Sequence, residues 1–157
     1  TIRKNNTKNH ESGAMMLRNI PKSLSPDLVK VLMQMGHGDE IVLGDANFPA
    51  HSHSDQVLRA DGLHIPDLLR DILTLMPLDR YSYYQVGLMS TAGDDPRPDI
   101  WNIYEKIWNE AEKEAGFVQV KMFERNEFYR HTGTVYAALV TGETALYGNV
   151  ILRKGAI

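Results

Sequence analysis

Three stretches of the chain repeat apolar residues at the spacing of one helical face. They predict helices over residues 26–35 and 66–76 and a long helix from residue 99 to near residue 116. Ser25 supplies an N-cap before Pro26 at the first helical position, and Gly36 follows as a C-terminal stop. Pro77 ends the second helix, and Asp99 is predicted to cap the third.

Short apolar runs bounded by turn residues predict the strands. They cover residues 40–44, 83–89, 117–122, 136–141 and 149–153, with a weaker candidate over residues 56–59. Residues 124–131 are predicted to form a short helix or turn, and residues 47–49 and 91–98 are predicted to form loops. Because strands and helices alternate, the predicted fold class is α/β, with a central mixed, largely parallel sheet flanked by helices in a single domain.

Composition narrows the class of protein. The chain has 157 residues, 43% of them apolar, which suffices for one hydrophobic core. The net charge is only -3 and the basic residues are dispersed, so no nucleic-acid partner is predicted. No apolar run approaches the roughly 20 residues that cross a bilayer, so no membrane partner is predicted. The absence of cysteine suits a reducing compartment, and a cytoplasmic location is expected.

The first residues of the chain are polar and lack hydrophobic periodicity. Residues 1–15 are predicted to be a disordered tail or an appended segment, with the natural start at Met15 or Met16. They lack the apolar segment of a secretory signal. The folded domain is therefore expected to span residues 16–157.

Candidate proton-transfer and binding groups flank the first strand. His37 lies between two glycines, which leave room for a ligand, and an imidazole ordinarily titrates near neutral pH. The alternative is a histidine that caps the preceding helix. Asp45 follows the carboxyl end of the strand, where ligands bind in open α/β sheets, although an Asx-turn would also explain it. Asp39 and Glu40 are interpreted as solvated or capping residues.

Polar groups later in the chain could join the same site. Arg125 and Tyr129 are four residues apart, so on a helix they share a face. Near the C-terminus, Gly148 permits a close backbone approach, and the Asn149 amide offers both a donor and an acceptor to vicinal hydroxyls. A surface arginine, a core-edge tyrosine and an ordinary turn are the alternative interpretations.

His51, His53 and Asp55 raise the alternative of a metal-dependent isomerase. In an extended segment the two histidines would face the same way. Two histidines without a fixed third partner give no recognisable zinc spacing, so a polar loop is the preferred interpretation and no metal is predicted.

The order of these motifs resembles that of the L-fucose mutarotases, relatives of the bacterial D-ribose pyranases. The matching segments are Ile20-Pro21, Leu24-Ser25-Pro26, residues 35–43, residues 45–52, residues 59–63, Pro77-Leu78-Asp79, Glu127-Phe128-Tyr129 and residues 141–149, which end in Tyr147-Gly148-Asn149. The likeness extends over nearly everything from Met16 to Gly155.

The resemblance implies an isomerase that interconverts the α and β anomers of the monosaccharide L-fucose without metal or cofactor. It implies catalytic roles for His37, Tyr129 and Asp79, and substrate binding by Asp45, Arg125, Tyr147, Gly148 and Asn149. It also implies a homo-oligomer, a decameric ring, with sites at subunit borders. Two alternatives stay open: pyranose/furanose exchange on D-ribose, and a sugar-binding accessory protein without catalysis.

Overall fold

The structure, a computed structural model, describes residues 16–157. The helices are α1 Pro26–Gln34, α2 Ala50–His53, α3 Ile65–Leu75, α4 Asp99–Ala111 and α5 Arg125–Thr132. The strands are β1 Glu40–Gly44, β2 Val57–Ala60, β3 Val86–Met89, β4 Val120–Phe123, β5 Ala137–Thr141 and β6 Val150–Arg153. The tail predicted over residues 1–15 lies outside the described residues, and in the described part no helix has the length and apolarity to span a membrane.

One six-stranded sheet organises the chain, in the order β2-β5-β1-β6-β3-β4. Strand β6 runs antiparallel to both its neighbours, whereas the other three strand pairs are parallel. The central strands β1 and β5 are buried along their whole length, as expected for strands covered on both faces. The predicted mixed, largely parallel sheet is confirmed.

Helices cover both faces of the sheet. In β1, Ile41 and Leu43 pack into one core with the apolar faces of α1, α3 and α4. Val42 points to the opposite face, where Ala50 of α2 and Phe128 of α5 complete a second core. This alternation follows from the two-residue period of a strand. The single α/β domain predicted from the sequence is confirmed.

The observed ends of the helices agree only in part with those predicted from the sequence. Ser25 caps α1 by accepting a hydrogen bond from a backbone N–H of the first turn, as predicted. The prediction that Asp99 caps α4 was wrong, because Pro98 holds the N-cap position and Asp99 is the first helical residue. An acid there still interacts favourably with the positive end of the helix dipole. Helix α4 also ends before the predicted Gly116.

The end of α1 differs from the prediction. The extended residue Met35 ends the helix, not Gly36, and the left-handed glycine is Gly38, with a φ of 88°. The Lys154 ammonium donates to the carbonyl oxygens of Leu32 and Met35, two of the acceptors that a helix end leaves unpaired. A lysine remote in sequence therefore caps α1, the role considered above as the alternative for a histidine.

Three further elements depart from the sequence prediction. Helix α2 was not predicted, because four residues are too few to show a helical period. Strands β3 and β4 begin three residues later than predicted, at Val86 and Val120. Phe117 was predicted to begin β4, but its side chain is exposed in the loop before that strand.

Gly44, at the end of β1, supplies a test of this packing. A Cβ at this position would lie 2.6–2.8 Å from three atoms of the buried Phe48 side chain. We expect Gly44→Ala to lower the free energy of unfolding by about 1–3 kcal/mol through overpacking. Gly62→Ala is the matched control, because its Cβ would meet nothing within 4 Å. Urea unfolding of both variants measures the difference, and equal stability would contradict the packing described here.

Candidate active site

The candidate site residues lie near two opposite ends of the central strands. The parallel strands β1 and β5 end at one edge, which we call the carboxyl edge, and antiparallel β6 begins there. Asp45 directly follows β1, and Asn149 directly precedes β6. At the opposite end, the amino edge, His37 precedes β1 and Arg153 ends β6.

Asp45 and Asn149 are joined at the carboxyl edge. The backbone N–H of Asp45 donates to Asn149 Oδ1 at 2.7 Å, and the Asn149 residue is only 4% exposed. Because its oxygen is occupied, and Nδ2 makes no hydrogen bond to any residue in the range 16–157, this amide presents donors to a ligand. The sequence prediction that these residues belong together is consistent with this contact.

The Asp45 carboxyl has an altered acidity. Burial raises its pKa above the ordinary value, and the negative charge of Glu143 acts in the same direction. Backbone N–H groups of Asn47 and Phe48 oppose the rise without cancelling it. The carboxyl therefore holds a proton at higher pH than an exposed aspartate does.

Glu143 lies at the carboxyl edge and was not among the predicted site residues. Its side chain is buried, and its carboxylate oxygens accept backbone N–H groups from Ile65, Thr144 and Ala145. These bonds hold the segment after β5 against the start of α3. The backbone carbonyl of Glu143 also accepts from the Ala46 N–H at 2.8 Å, which ties that segment to the loop after Asp45.

Tyr147 and Gly148 lie between the carboxyl edge and α4. The Tyr147 carbonyl accepts from Trp101 Nε1 at 2.9 Å, and the Gly148 carbonyl accepts from the Tyr104 hydroxyl at 2.8 Å. A Cβ at Gly148 would lie 3.0 Å from the Ala145 carbonyl oxygen, so the missing side chain lets the backbone pass close to its own neighbours here. The indole of Trp101 and the hydroxyl of Tyr104 therefore hold this segment against α4.

Arg125 and Tyr129 share a face of α5, as predicted. The Arg125 guanidinium lies 5.6 Å from the centre of the Tyr129 ring. That ring also packs against Phe48 at 5.8 Å and His53 at 5.3 Å. Since Phe48 belongs to the loop that follows Asp45, the start of α5 lies beside the carboxyl edge.

His37 and Asp79 form a pair at the amino edge. His37 Nε2 lies 2.8 Å from Asp79 Oδ1, with 44% of the His37 side chain exposed and only 3% of the Asp79 side chain. The histidine is therefore oriented by a carboxylate and does not cap α1. The Arg153 guanidinium lies on the other side of the acid, with Nε 3.4 Å from Asp79 Oδ2.

Asp79 is ionised far below neutral pH. Burial by itself raises its pKa, but hydrogen bonds from the Ser82 hydroxyl and the Tyr81 backbone N–H outweigh that effect. The hydrogen bond and the charge of His37 lower the value further, to a pKa of about 2 against an ordinary 3.8. At neutral pH the group is a carboxylate, and an acceptor only.

A second buried cluster adjoins this pair. Glu40 accepts from the Tyr84 hydroxyl at 2.8 Å, and His131 Nε2 lies 2.8 Å from its other oxygen. The interpretation of Glu40 as a solvated or capping residue was wrong, since it is only 8% exposed. Burial and the neighbouring Glu40 carboxylate raise the pKa of Tyr84. Arg153 lies over the Tyr84 ring at 5.3 Å, so one guanidinium contacts both clusters.

Within one chain the structure does not bring the two edges together. The five residues of β1 separate His37 from Asp45, and the register pairs Glu40 with Arg153 at one end and Leu43 with Val150 at the other. At about 3.3 Å a residue, the strand alone spans about 16 Å. The proton-transfer candidates His37 and Asp79 therefore lie apart from the sugar-binding candidates.

The histidines considered for metal binding point to separate partners. His51 and His53 lie on α2, a helix, so residues two apart face different directions. His51 Nε2 contacts an Arg59 nitrogen at 3.2 Å, and His53 Nδ1 lies 3.0 Å from the Pro49 carbonyl oxygen. Within residues 16–157 no set of three acids or histidines is arranged to hold a metal ion.

Known proteins resemble this chain over most of its length. The RbsD / FucU transport protein family matches residues 18–157. The fucose mutarotase of Mus musculus is 44% identical over 148 residues, which are 90% of this chain and 95% of that protein.

Solved structures show the same fold. The fucose mutarotase of Streptococcus pneumoniae, crystallised with L-fucose, is 44% identical with a TM-score of 0.85, covering 90% of this chain and 99% of that one. FucU from Bifidobacterium longum is 39% identical with a TM-score of 0.83, covering 89% and 99%. RbsD of Bacillus subtilis, complexed with D-ribose, is 25% identical with a TM-score of 0.63, covering 85% and 95%. This chain belongs to the RbsD / FucU transport protein family.

Proposed function

We propose that this protein is a fucose mutarotase, an isomerase that interconverts the α and β anomers of L-fucose by general acid/base catalysis without a cofactor. The observation that carries this proposal is the 44% identity, over 90% of the chain, to the mouse and the Streptococcus pneumoniae fucose mutarotases. The ribose-bound relative, at 25% identity and a TM-score of 0.63, is less similar. L-Fucose is therefore the first sugar to test and D-ribose the second.

Mutarotation requires two coupled proton transfers. A base takes the proton of the anomeric hydroxyl while an acid protonates the ring oxygen, and the bond between C1 and the ring oxygen breaks to give the open-chain aldehyde. Rotation about the C1–C2 bond exposes the other face of the aldehyde, and the reverse transfers close the ring. Nothing is consumed, so side chains that titrate or exchange protons near neutral pH are sufficient.

His37 is the proposed base. The ionised Asp79 carboxylate accepts a hydrogen bond from Nε2–H, which leaves Nδ1 of a neutral imidazole without its proton and able to accept one from the sugar. Asp79 itself is buried and accepts from two other donors, the Tyr81 backbone N–H and the Ser82 hydroxyl, so we assign it to orienting His37. The Tyr129 hydroxyl, or a water, is the proposed acid that completes the pair.

The carboxyl edge is the proposed sugar-holding half of the active site, and the amino edge with His37 is the other half. The Asp45 carboxylate accepts sugar hydroxyls, and Asn149 Nδ2 and the Arg125 guanidinium donate to sugar oxygens. Tyr147 and Gly148 line the pocket. The pairing of Asp45 with Asn149 at 2.7 Å supports this assignment.

The two halves meet in a homo-oligomer, proposed to be a decameric ring. The separation of the edges within one chain supports a site shared between copies. Large apolar side chains are also exposed at the amino edge: Tyr81 is 86% exposed, Tyr83 72% and Phe117 82%. Such exposed apolar surface commonly marks an interface between proteins. A cytoplasmic location stays a prediction.

The proposed activity is tested by saturation-transfer NMR, which measures anomer exchange directly. We expect the wild-type protein to accelerate exchange of L-fucose, and His37→Ala to lower the rate by about a hundredfold or more, the usual contribution of a general base. His51→Ala is the matched control, because this exposed histidine makes its side-chain hydrogen bond within residues 16–157 to the exposed Arg59 and to none of the proposed site residues. D-Ribose and galactose are measured alongside.

Each alternative function gives a different result in this experiment. A sugar-binding accessory protein would bind L-fucose and leave its exchange rate unchanged. A metal-dependent isomerase would lose activity on treatment with a chelator. Exchange that is undiminished in His37→Ala would remove this residue from the mechanism.

A site shared between copies predicts complementation between two inactive variants. His37→Ala retains an intact carboxyl edge, and Asp45→Asn retains an intact amino edge. In oligomers co-expressed from both variants, we expect about a quarter of the sites to combine two intact edges, as random mixing in a symmetric assembly gives. Activity of the co-expressed protein, compared with each variant alone, measures this. No recovery in stably mixed oligomers would place the whole site within one chain.

The lowered pKa of Asp79 predicts a pH-dependent stability. Its stabilising contribution is fully present above pH 3.8 and is lost as pH falls through the folded pKa of about 2. The shift corresponds to about 2 kcal/mol. We therefore expect the stability difference between wild type and Asp79→Asn to shrink by about that amount between pH 5 and pH 2. Urea unfolding across this range measures it, and a pH-independent difference would contradict the assignment.

The matched control for this experiment is Asp61→Asn. Asp61 is 65% exposed and pairs with the exposed Arg59, an arrangement that contributes little to stability. Its stability difference from wild type is expected to stay small throughout the same pH range.

A further inference from the structure

The loop over residues 91–98 contacts the sugar-holding half through the Tyr147 hydroxyl. The backbone N–H of Ala92 donates to this hydroxyl at 3.0 Å, and the hydroxyl donates to the Asp95 carboxylate. The turn residues of this segment predict a surface loop. Two separate residues of the loop are thus bonded to one phenolic oxygen.

The Tyr147 backbone is held in place as well. Its φ of 57° is left-handed, a conformation that side chains other than glycine rarely adopt and that usually persists only where the surroundings enforce it. Here the Trp101 indole N–H binds the Tyr147 carbonyl at 2.9 Å, and the Tyr104 hydroxyl binds the next carbonyl. Both ends of the tyrosine, backbone and hydroxyl, are therefore fixed before any ligand arrives.

The contacts of the phenolic oxygen determine what it can still do. A tyrosine hydroxyl has one proton to donate and two lone pairs that accept. A carboxylate only accepts, so the proton is directed to Asp95, and the Ala92 N–H takes one lone pair. One lone pair remains. A sugar hydroxyl that meets Tyr147 must therefore donate to it.

Asn149, two residues after Tyr147, has the opposite hydrogen-bonding role. Its oxygen is occupied by the Asp45 N–H, so its amide presents donors. The turn that contains both residues therefore offers an acceptor, the Tyr147 hydroxyl oxygen, and a donor, the Asn149 amide, in fixed positions. Such a pair discriminates between ligand groups that donate and groups that only accept, because a mismatched group leaves a partner without its hydrogen bond.

We propose that Asp95 is a specificity-determining positioning residue: by binding the Tyr147 proton it makes this hydroxyl an obligate acceptor, which selects a sugar whose hydroxyl donates there. The inference rests on the proposed function, since it takes the ligand to be a monosaccharide bound at the carboxyl edge. Asp95 touches Tyr147 and acts on the sugar only through it. A purely structural role, anchoring the loop, is the competing explanation.

The test compares L-fucose with three analogues in which the hydroxyl at C2, C3 or C4 is replaced by fluorine, which cannot donate a hydrogen bond. Dissociation constants are measured by ligand-observed NMR, which does not depend on catalysis. We expect at least one analogue to bind the wild-type protein about tenfold more weakly than L-fucose, because the free lone pair of Tyr147 loses its donor. An analogue that loses its hydrogen bond to Asp45 is weakened as well, and substitutions at Tyr147 are not expected to change that loss. In Tyr147→Phe the discrimination that depends on the Tyr147 hydroxyl is expected to disappear.

Variants at the loop separate the two explanations. Asp95→Ala frees the Tyr147 proton, so discrimination against that same analogue is expected to fall several-fold while L-fucose still binds. Asp95→Asn retains an acceptor oxygen and is expected to restore most of the discrimination. Asp94→Ala is the matched control, since it removes the neighbouring exposed acid, whose side chain makes no hydrogen bond to any residue from 16 to 157. It is expected to bind all four sugars like wild type.

Three results would overturn the proposal. Equal weakening of L-fucose and all analogues by Asp95→Ala would mean that Asp95 only anchors the loop. Unchanged discrimination in Asp95→Ala would mean that it does not control the Tyr147 proton. A wild-type protein that binds no L-fucose would remove the proposed function and this inference with it, whereas binding without anomer exchange would remove catalysis alone. Circular dichroism and thermal unfolding of each variant exclude misfolding as the cause.

Discussion

The antiparallel pairing of β6 with β1 at the centre of the sheet is the constraint on which the rest of the arrangement depends. With Leu43 opposite Val150 and Glu40 opposite Arg153, the start of β6 lies where β1 ends, and its end lies where β1 begins. Asn149, which directly precedes β6, therefore lies at the carboxyl edge. A slip of one residue would turn every side chain of β6 to the other face and remove both core layers from register.

Hydrophobic periodicity was sufficient to predict most of the fold. Helices α1 and α3 follow from apolar spacing because each buries one face. Strand β1 follows from a continuous apolar run because it is buried on both faces. The failures have physical causes: α2 is too short to show a period, and the aromatic Phe117 lies exposed in a loop although its residue type favours a strand. The end of α1 could not be predicted either, because its cap, Lys154, is far away in the chain.

The candidate site was predictable by residue but not by arrangement. Asp45 was indicated by its position after the carboxyl end of a strand, where ligands bind in α/β sheets. His37 was indicated by its two flanking glycines, and Asn149 by the donor and acceptor of its amide. Their division between two edges depends on strand order, which local sequence does not encode. His37 and Asp79 are 42 positions apart in the sequence, and no periodic pattern predicts a contact between residues so far apart.

The length of β1 has a consequence for how such a protein diversifies. Side chains at opposite ends of the strand are about 16 Å apart, beyond the distance within which substitutions usually influence one another energetically. Within one chain, substitutions around Asn149 can therefore accumulate during evolution without disturbing the pairing of His37 with Asp79. If the site is shared between copies as proposed, the two sets of residues influence each other only where copies meet, so a change at one edge has to be matched across that contact and not through the fold of one chain.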